Sequence, residues 1–355
     1  MHKIALLLCI GFGIIAGRAQ ENILLKDYRP KSVYNIQKTT VSKAKYPVID
    51  VHSHPYASSD EEIKEWIKTM DAHNVEKTLI LCYQTGKAFD SIYNVYSKYG
   101  DRFEVWCGFD YSGYEEKGWT EKAIKELERC YKVGAKGVGE LGDKGSGLFY
   151  SGPSAAPGMH INDPRMQPLL KRCGELGMPI NVHVAEPIWM YEPIDNTNDG
   201  LMNAENWKID TTKPDLLLHA ELINTLEEAV ANNPGTTFIA CHYANCSYDL
   251  NILGGLFDKY KNLYADIAAR YAETSPIPRA TSAFYKKYQD RLLYGTDMGM
   301  EGSMYETTFR ILETDDEHFY EHDLFGYHWA LHGLGLDDEV LKKVYADNVR
   351  KILMK

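Results

Sequence analysis

From residue 46 onward the chain alternates two hydrophobic rhythms. Short apolar runs rich in β-branched residues occupy 47–52, 77–82, 103–109, 135–141, 179–184, 237–242, 263–267 and 291–297. Each is long enough for one strand, and their near-continuous apolar character is that of strands buried on both faces. Between them, apolar residues recur at helical spacing. That pattern predicts helices over 60–74, 91–99, 121–132, 164–176, 217–232, 248–260 and 279–289, the sixth broken at Gly254-Gly255. Strands alternating with helices imply right-handed crossovers and a parallel sheet. Eight such units predict an α/β fold, a (β/α)8 TIM barrel over 46–355, with a short N-terminal arm at 20–45 and a C-terminal helical extension. No GxGxxG or P-loop sequence follows the first strand, so a nucleotide-binding open sheet is disfavoured.

The N-terminus changes the picture of where the protein works. Lys3 precedes an apolar run from Ile4 to Ala16, and Gly17-Arg18-Ala19 offers small residues for cleavage before Gln20. This reads as a signal peptide over 1–19. The run is too short to span a bilayer, which takes about 20 residues. An exported protein, periplasmic or secreted, is expected, without stable membrane insertion after processing. Removing residues 1–19 takes away two cations and no acids, so the formal charge of −11 becomes −13. An acidic surface repels phosphate backbones, which argues against nucleic acid as partner and for a small-molecule substrate. Self-association is left open. Cys82, Cys107, Cys130, Cys173, Cys241 and Cys246 show no metal-finger spacing, and a barrel of this size needs no disulfides. They are expected to be small buried hydrophobes rather than nucleophiles.

Chemistry enters at the strand ends. His52 and His54 end the first predicted strand, Glu140 the fourth, His183 the fifth, His242 the sixth and Asp297 the eighth. In a barrel these ends share one rim, where active sites form. Histidines at i and i+2 at the end of a strand point to the same face. Imidazoles with carboxylates suit a divalent metal such as Zn²⁺, one ion or two. Such a metal activates water; Asp297 could then take the water's proton, and His242 could orient or protonate the leaving group. Arg270, just past the seventh strand, is a candidate for a substrate carboxylate. Trp189, in the long loop after the fifth strand, is a candidate for substrate contact. Lys136 is expected inside the barrel wall.

The Val-Ile-Asp-Val-His-Ser-His start, Asn-Val-His-Val-Ala-Glu around His183, Ile-Ala-Cys-His ending at His242, and Gly295-Thr296-Asp297 resemble the amidohydrolase superfamily, specifically its amidohydrolase-related group of TIM-barrel metal-dependent hydrolases. The resemblance runs over roughly 46–355 and includes the closing helix at 345–353. It implies a metal-activated water that cleaves a C–N or C–O bond in a small organic substrate. Members hydrolyse amides, esters and lactones, deaminate bases, or decarboxylate aromatic acids, so a metal-dependent decarboxylase is the alternative. The fourth strand departs from the two-metal members that carry a carboxylated lysine. A glutamate there resembles the bridge of TatD-type deoxyribonucleases, but the reading preferred is one metal on His52, His54, His183 and Asp297, with His242 catalytic and Glu140 touching the substrate or supporting the ligands. His183-Val184-Ala185-Glu186 resembles the HxxE of mononuclear deaminases, which would make Glu186 a proton shuttle. A non-catalytic binding protein with a metal-stabilised rim is the reading from another class. It sits poorly with both a sixth-strand histidine and an eighth-strand aspartate.

Overall fold

The computed structural model describes residues 23–150 and 152–354; the expected signal peptide lies outside them. Eight parallel strands follow in order: β1 (Val48–Ser53), β2 (Val75–Leu81), β3 (Phe103–Trp106), β4 (Val138–Asp143), β5 (Ile180–Val184), β6 (Phe238–Ala240), β7 (Leu263–Asp266) and β8 (Leu292–Leu293). Parallel ladders join β1 to β2 to β3, and β4 through β8 in sequence. Two seams complete the ring. Cys107 N–H donates to Gly137 O at 3.0 Å and Gly139 N–H to Cys107 O at 2.8 Å, tying β3 to β4. Val51 N–H donates to Tyr294 O at 3.0 Å and Asp297 N–H to His52 O at 2.8 Å, tying the end of β8 back to β1. The chain is thus a closed (β/α)8 barrel, as the apolar rhythm predicts.

A helix forms in each predicted interval, at Asp60–His73, Gly86–Tyr96, Trp119–Val133, Gln167–Leu176, His219–Asn232, Leu250–Lys259 and Pro278–Lys287, the second starting at Gly86 and not at 91 because Thr85 ends the preceding extended segment. Ser59 begins the first with a reciprocal capping box to Glu62. The expected break at Gly254-Gly255 does not occur: Leu250–Lys259 is one helix. Its buried Leu253, Leu256 and Phe257 hold it on the barrel. Gly254 lets it approach closely, since a Cβ there would lie 2.8 Å from the Tyr288 hydroxyl. Lys136 is exposed, one residue after the helix-to-strand turn, and not in the barrel wall. Among the described residues no helix is long and apolar enough to cross a membrane. Cys82, Cys107, Cys130, Cys173, Cys241 and Cys246 are buried and unbridged.

Two packing features position the site. Inside the barrel Ile49, Val51, Leu79, Leu81, Trp106, Ile239 and Leu293 cluster with Ala346, Val349 and Ile352 of the closing helical segment. This apolar plug fills the end of the barrel opposite the strand C-termini. Along the flank the N-terminal arm clamps the long segment after β8. Asp316 accepts from Thr39 N–H and Oγ1, both at 2.7 Å, and from Arg310. Glu313 accepts from Lys45 N–H at 2.9 Å, and His322 donates to Pro30 O at 3.1 Å. The arm is therefore a brace for the loop that carries Phe325 and Tyr327 to the rim.

Candidate active site

The C-terminal rim is built of strained backbone. Tyr83, Ala185, the run His242 to Asn245, Ala269 and Asp297 all leave their strands with left-handed φ between 44° and 64°. Each such non-glycine residue costs roughly 1–2 kcal/mol, and strain of this kind persists where it positions groups that act. The left-handed turn at His242 lets its N–H donate to Asp266 Oδ1 at 2.8 Å while its ring points inward. Gly295 supplies the room beside it; a Cβ there would stand 3.0 Å from the His52 Cβ.

Four imidazoles converge, and each has one nitrogen fixed on a protein acceptor. His52 Nδ1 bonds Asp266 Oδ2 at 2.9 Å, and His54 Nδ1 bonds Leu81 O at 2.9 Å. His242 Nδ1 bonds Ala268 O at 2.8 Å, and His183 Nε2 bonds Ala185 O at 3.0 Å. The acceptors place a hydrogen on those nitrogens and turn the opposite ones toward a shared volume, where His183 Nδ1 in turn donates to Glu140 Oε1. His52 Nε2 is fully buried and has no hydrogen-bond partner. An orphaned, inward-pointing nitrogen of this kind is costly unless something binds it.

The carboxylates fill the space between them. Glu140 Oε1 lies 2.8 Å from His183 Nδ1, 3.5 Å from His242 Nε2 and 3.8 Å from His52 Nε2. Its other oxygen, Oε2, lies 3.6 Å from His54 Nε2. Asp297 Oδ1 is 3.1 Å from His54 Nε2 and 3.8 Å from His52 Nε2. Ligand atoms of His52, His242 and Asp297, and separately of Glu140, His183 and His242, fall within 4.8 Å of one another. The donor set fits a divalent metal. All six residues singled out from the sequence are thus brought together. Cys241 also lies within reach, but its Sγ donates to Asn181 Oδ1 at 2.7 Å. Burial and the nearby Glu140 and Asp266 push its thiol pKa well up, so it stays a protonated, buried group.

Electrostatics agree with a cation-seeking centre. Burial opposes charge on His52, yet Asp266, Asp297 and Glu140 outweigh it and raise its pKa to about 10. Burial likewise opposes charge on His183, and Glu140 and Glu186 raise it to about 9. Glu140 is held well below the usual carboxylate range: burial would raise it, but His183, His242 and His52 prevail. The field that keeps protons on these rings also attracts a divalent ion, whose binding displaces them. His242 differs. Burial and Arg270 lower its pKa, leaving a neutral ring.

Above the cluster opens a cavity of about 340 Å³, lined on one side by Glu140, His183, His242 and Asp297 and on the other by Lys144, Glu186 and Arg270. Aromatic walls come from Tyr56, Tyr83, Tyr150, Trp207, Phe325 and Tyr327. Glu186 pairs with Lys144 Nζ, lies 3.7 Å from Arg270 Nη2, and stands 3.6 Å from His183 Nε2. Burial would raise its pKa, but His183, Lys144 and Arg270 bring it down to about 2. Arg270 lies in the wall as expected, gripping Asn245 Oδ1 through Nε and Nη2 at 2.9 and 2.8 Å. Trp189 does not line this cavity. It packs against Trp329 and over Gly200, while Met190 and Trp207 from the same loop face inward. Several contributors, Tyr56 and Tyr83 among them, were not apparent from the sequence. Lys144 and Tyr150 lie in the irregular loop after β4, where no periodicity gives direction. Asp266 ends an apolar strand on the same rim as the histidines, and that signal was available.

The amidohydrolase family model matches residues 117–354, about two thirds of the chain. No curated protein matches it. Similar solved structures include 2,6-dihydroxybenzoate decarboxylase from Rhizobium, at 14% identity and TM-score 0.53, covering 87% of this chain and 99% of that one. Dihydroxybenzoic acid decarboxylase from Polaromonas sp. JS666, with manganese and 2-nitroresorcinol, matches at 14% identity and TM-score 0.54, over 87% and 97%. A third is 5-carboxyvanillate decarboxylase from Novosphingobium aromaticivorans, with manganese and 4-hydroxy-3-methoxy-5-nitrobenzoic acid, at 13% identity and TM-score 0.52, over 90% and 100%. At such identities the likeness establishes the shared barrel fold.

Proposed function

This chain belongs to the amidohydrolase family, and from that premise we propose that it is a divalent-metal-dependent hydrolase cleaving a C–N or C–O bond in a small organic substrate, whose two ions would be held by His52, His54, Glu140, His183, His242 and Asp297. The carrying observation is that the two oxygens of Glu140 face different nitrogen sets. Oε2 faces His54, which also meets Asp297, and Oε1 faces His183 and His242, with His52 Nε2 3.8 Å from the same oxygen. One ion would be held by His52, His54 and Asp297, the other by His183 and His242. Bound there, divalent ions supply Lewis acidity to the attacking water and to the bond being broken.

The chain's own residues have separable tasks. Asp297 takes up the water's proton at its carboxylate, which opens to the cavity below Tyr56; that hydroxyl donates to Asp297 O at 2.6 Å. His242, neutral and hydrogen-bonded at Nδ1, holds a ligand position rather than delivering a proton. Glu186, ionised between two cations, orders the opposite wall and is a poor proton shuttle at neutral pH.

Metal analysis should return close to two ions per chain. Asp297→Asn should keep at least one ion while losing about 100-fold or more in turnover of whichever ester, lactone or amide a substrate screen identifies. Wild-type turnover in Asp297→Asn would sink the mechanism, and a single ion in the wild type would remove the second site. Decarboxylation is a second reading, favoured by Lys144 and Arg270, which together could hold a carboxylate before it is lost. Release of CO2 from an aromatic acid in the same screen, without hydrolysis, would select it. The apolar N-terminal run keeps export within the proposal. N-terminal sequencing of protein recovered from the periplasm or medium should begin at Gln20, and an intact N-terminus would overturn that.

A further inference from the structure

Whether the ions are one or two decides the sign of the cavity less than expected. Facing it are three carboxylates, Glu140, Glu186 and Asp297, and two cations, Lys144 and Arg270. A single divalent ion already turns that balance positive, and a second makes it more so. A positive, low-dielectric cleft draws in a small anion even when the molecule as a whole carries a formal charge of −11. The acidic exterior turns away polyanions, and the interior favours a compact one.

The two cations are built to meet such a group. Arg270 is buried, with 8% of its surface exposed. It spends its Nε edge on Asn245 and Glu273, the latter at 3.4 Å. Nη2 bonds Asn245, and among the described residues Nη1 donates to no one. Glu273 lies behind it, engaged by Ser247 and by the Tyr327 hydroxyl at 3.0 Å, and does not line the cavity. Lys144 reaches Glu186 from the other side, with Nζ 5.3 Å from the Trp207 ring centroid and 5.8 Å from that of Phe149. Its backbone is fixed by the preceding Asp143, fully buried, whose Oδ1 accepts from Gly145 and Gly147 N–H at 2.9 and 3.1 Å and whose Oδ2 meets His160 Nδ1 at 2.5 Å. A lysine at the start of a surface loop is ordinarily free to swing; this one is held over the cavity.

We infer that Lys144 is a specificity-determining residue which, with Arg270, selects substrates carrying a carboxylate on a small cyclic or planar body, and that Asp143 and His160 position it. The carboxylate meets Lys144 Nζ and Arg270 Nη1, sharing them with Glu186, while the aromatic walls of Tyr83, Tyr150, Phe325 and Trp207 flank the body. This rests on a metal-dependent reaction in this cavity, hydrolytic or decarboxylating, and in neither case on which bond breaks.

The test uses benzoate and its neutral isostere benzamide as probes of the metal-loaded protein, read by tryptophan fluorescence, since Trp207 stands beside Lys144, and by calorimetry. Wild type should bind benzoate at least tenfold more tightly than benzamide. Lys144→Met should weaken benzoate tenfold or more and leave benzamide unchanged, and Lys144→Arg should recover most of the loss. Asp143→Asn should weaken benzoate in the same direction while the metal content stays at the wild-type level. Equal losses for both probes would reduce Lys144 to packing, and unchanged benzoate binding in Lys144→Met would overturn the assignment. Because these are binding measurements, failure of the hydrolytic reading, seen as an absence of hydrolysis products in a substrate screen, leaves them interpretable on their own.

Discussion

Glu140→Gln is expected to leave the barrel folded and to lose at least one metal ion per chain, with turnover falling by about 100-fold or more. The substitution preserves shape and removes charge. In the wild type the carboxylate offers one oxygen toward His54 and the other toward His183, His242 and, at 3.8 Å, His52. A glutamine offers one oxygen and one NH2 group. If its oxygen stays with His183 and His242, the amide hydrogens point at the lone pair of His54 Nε2 and no ion can be shared. If the amide flips, the other set loses its ligand. The loss should exceed the 10–100-fold typical of removing a supporting hydrogen-bond partner, because a group shared between both nitrogen sets is removed. Metal content by mass spectrometry and the far-ultraviolet circular dichroism of the same sample separate loss of the site from loss of the fold. Two ions retained by Glu140→Gln at wild-type affinity would show that Glu140 does not hold them.

The barrel and its rim were legible for a physical reason. A parallel strand buried on both faces must be apolar throughout, so a polar residue at its end stands out, and barrel geometry sends every such end to one rim. His52, His54, Glu140, His183, His242 and Asp297 all stand out in this way, and all meet. Residues in the loops obey no such rule. Arg270 was found because it lies just past β7, whereas Lys144 and Tyr150 sit in a segment whose path depends on Asp143 gripping the turn at Gly145 and Gly147. Trp189 and Trp207 belong to the same loop, and nothing in their sequence says which turns inward. The short helix Leu201–Trp207 and the packing of Trp189 against Trp329 decide it. Glu186 illustrates a different limit. Its spacing from His183 suits a proton shuttle, but His183 itself, joined by Lys144 and Arg270 from distant positions in the sequence, holds it ionised. The helix at Leu250–Lys259 shows propensity giving way to packing.

Asp266→Asn is the second change expected to be large, although Asp266 need touch neither metal nor substrate. Its Oδ1 accepts from His242 N–H at 2.8 Å and Ala268 N–H at 3.2 Å, and its Oδ2 meets His52 Nδ1 at 2.9 Å and Asn181 Nδ2 at 3.2 Å. Every partner is a donor, and a buried carboxylate is the group that can accept from all four. An asparagine must turn its NH2 toward one pair. Turned toward His52, it forces Nδ1 to become the acceptor and moves the ring's hydrogen to Nε2, the nitrogen left unpartnered and facing Glu140 and Asp297. His52 then has no lone pair to give. Turned toward His242, the amide meets two backbone N–H groups and the left-handed turn that aims His242 loses its anchor. Either orientation damages a ligand without touching its chemistry. Metal affinity should fall about 10–100-fold, and stability by about 1–3 kcal/mol for the unsatisfied buried donors. Excess divalent metal should recover part of the activity if misalignment of the histidines is the cause, since affinity rather than the reacting groups is lost. Wild-type affinity and melting temperature in Asp266→Asn would mean that the orientation of His52 is fixed by the surrounding packing, and that the carboxylate behind it is dispensable.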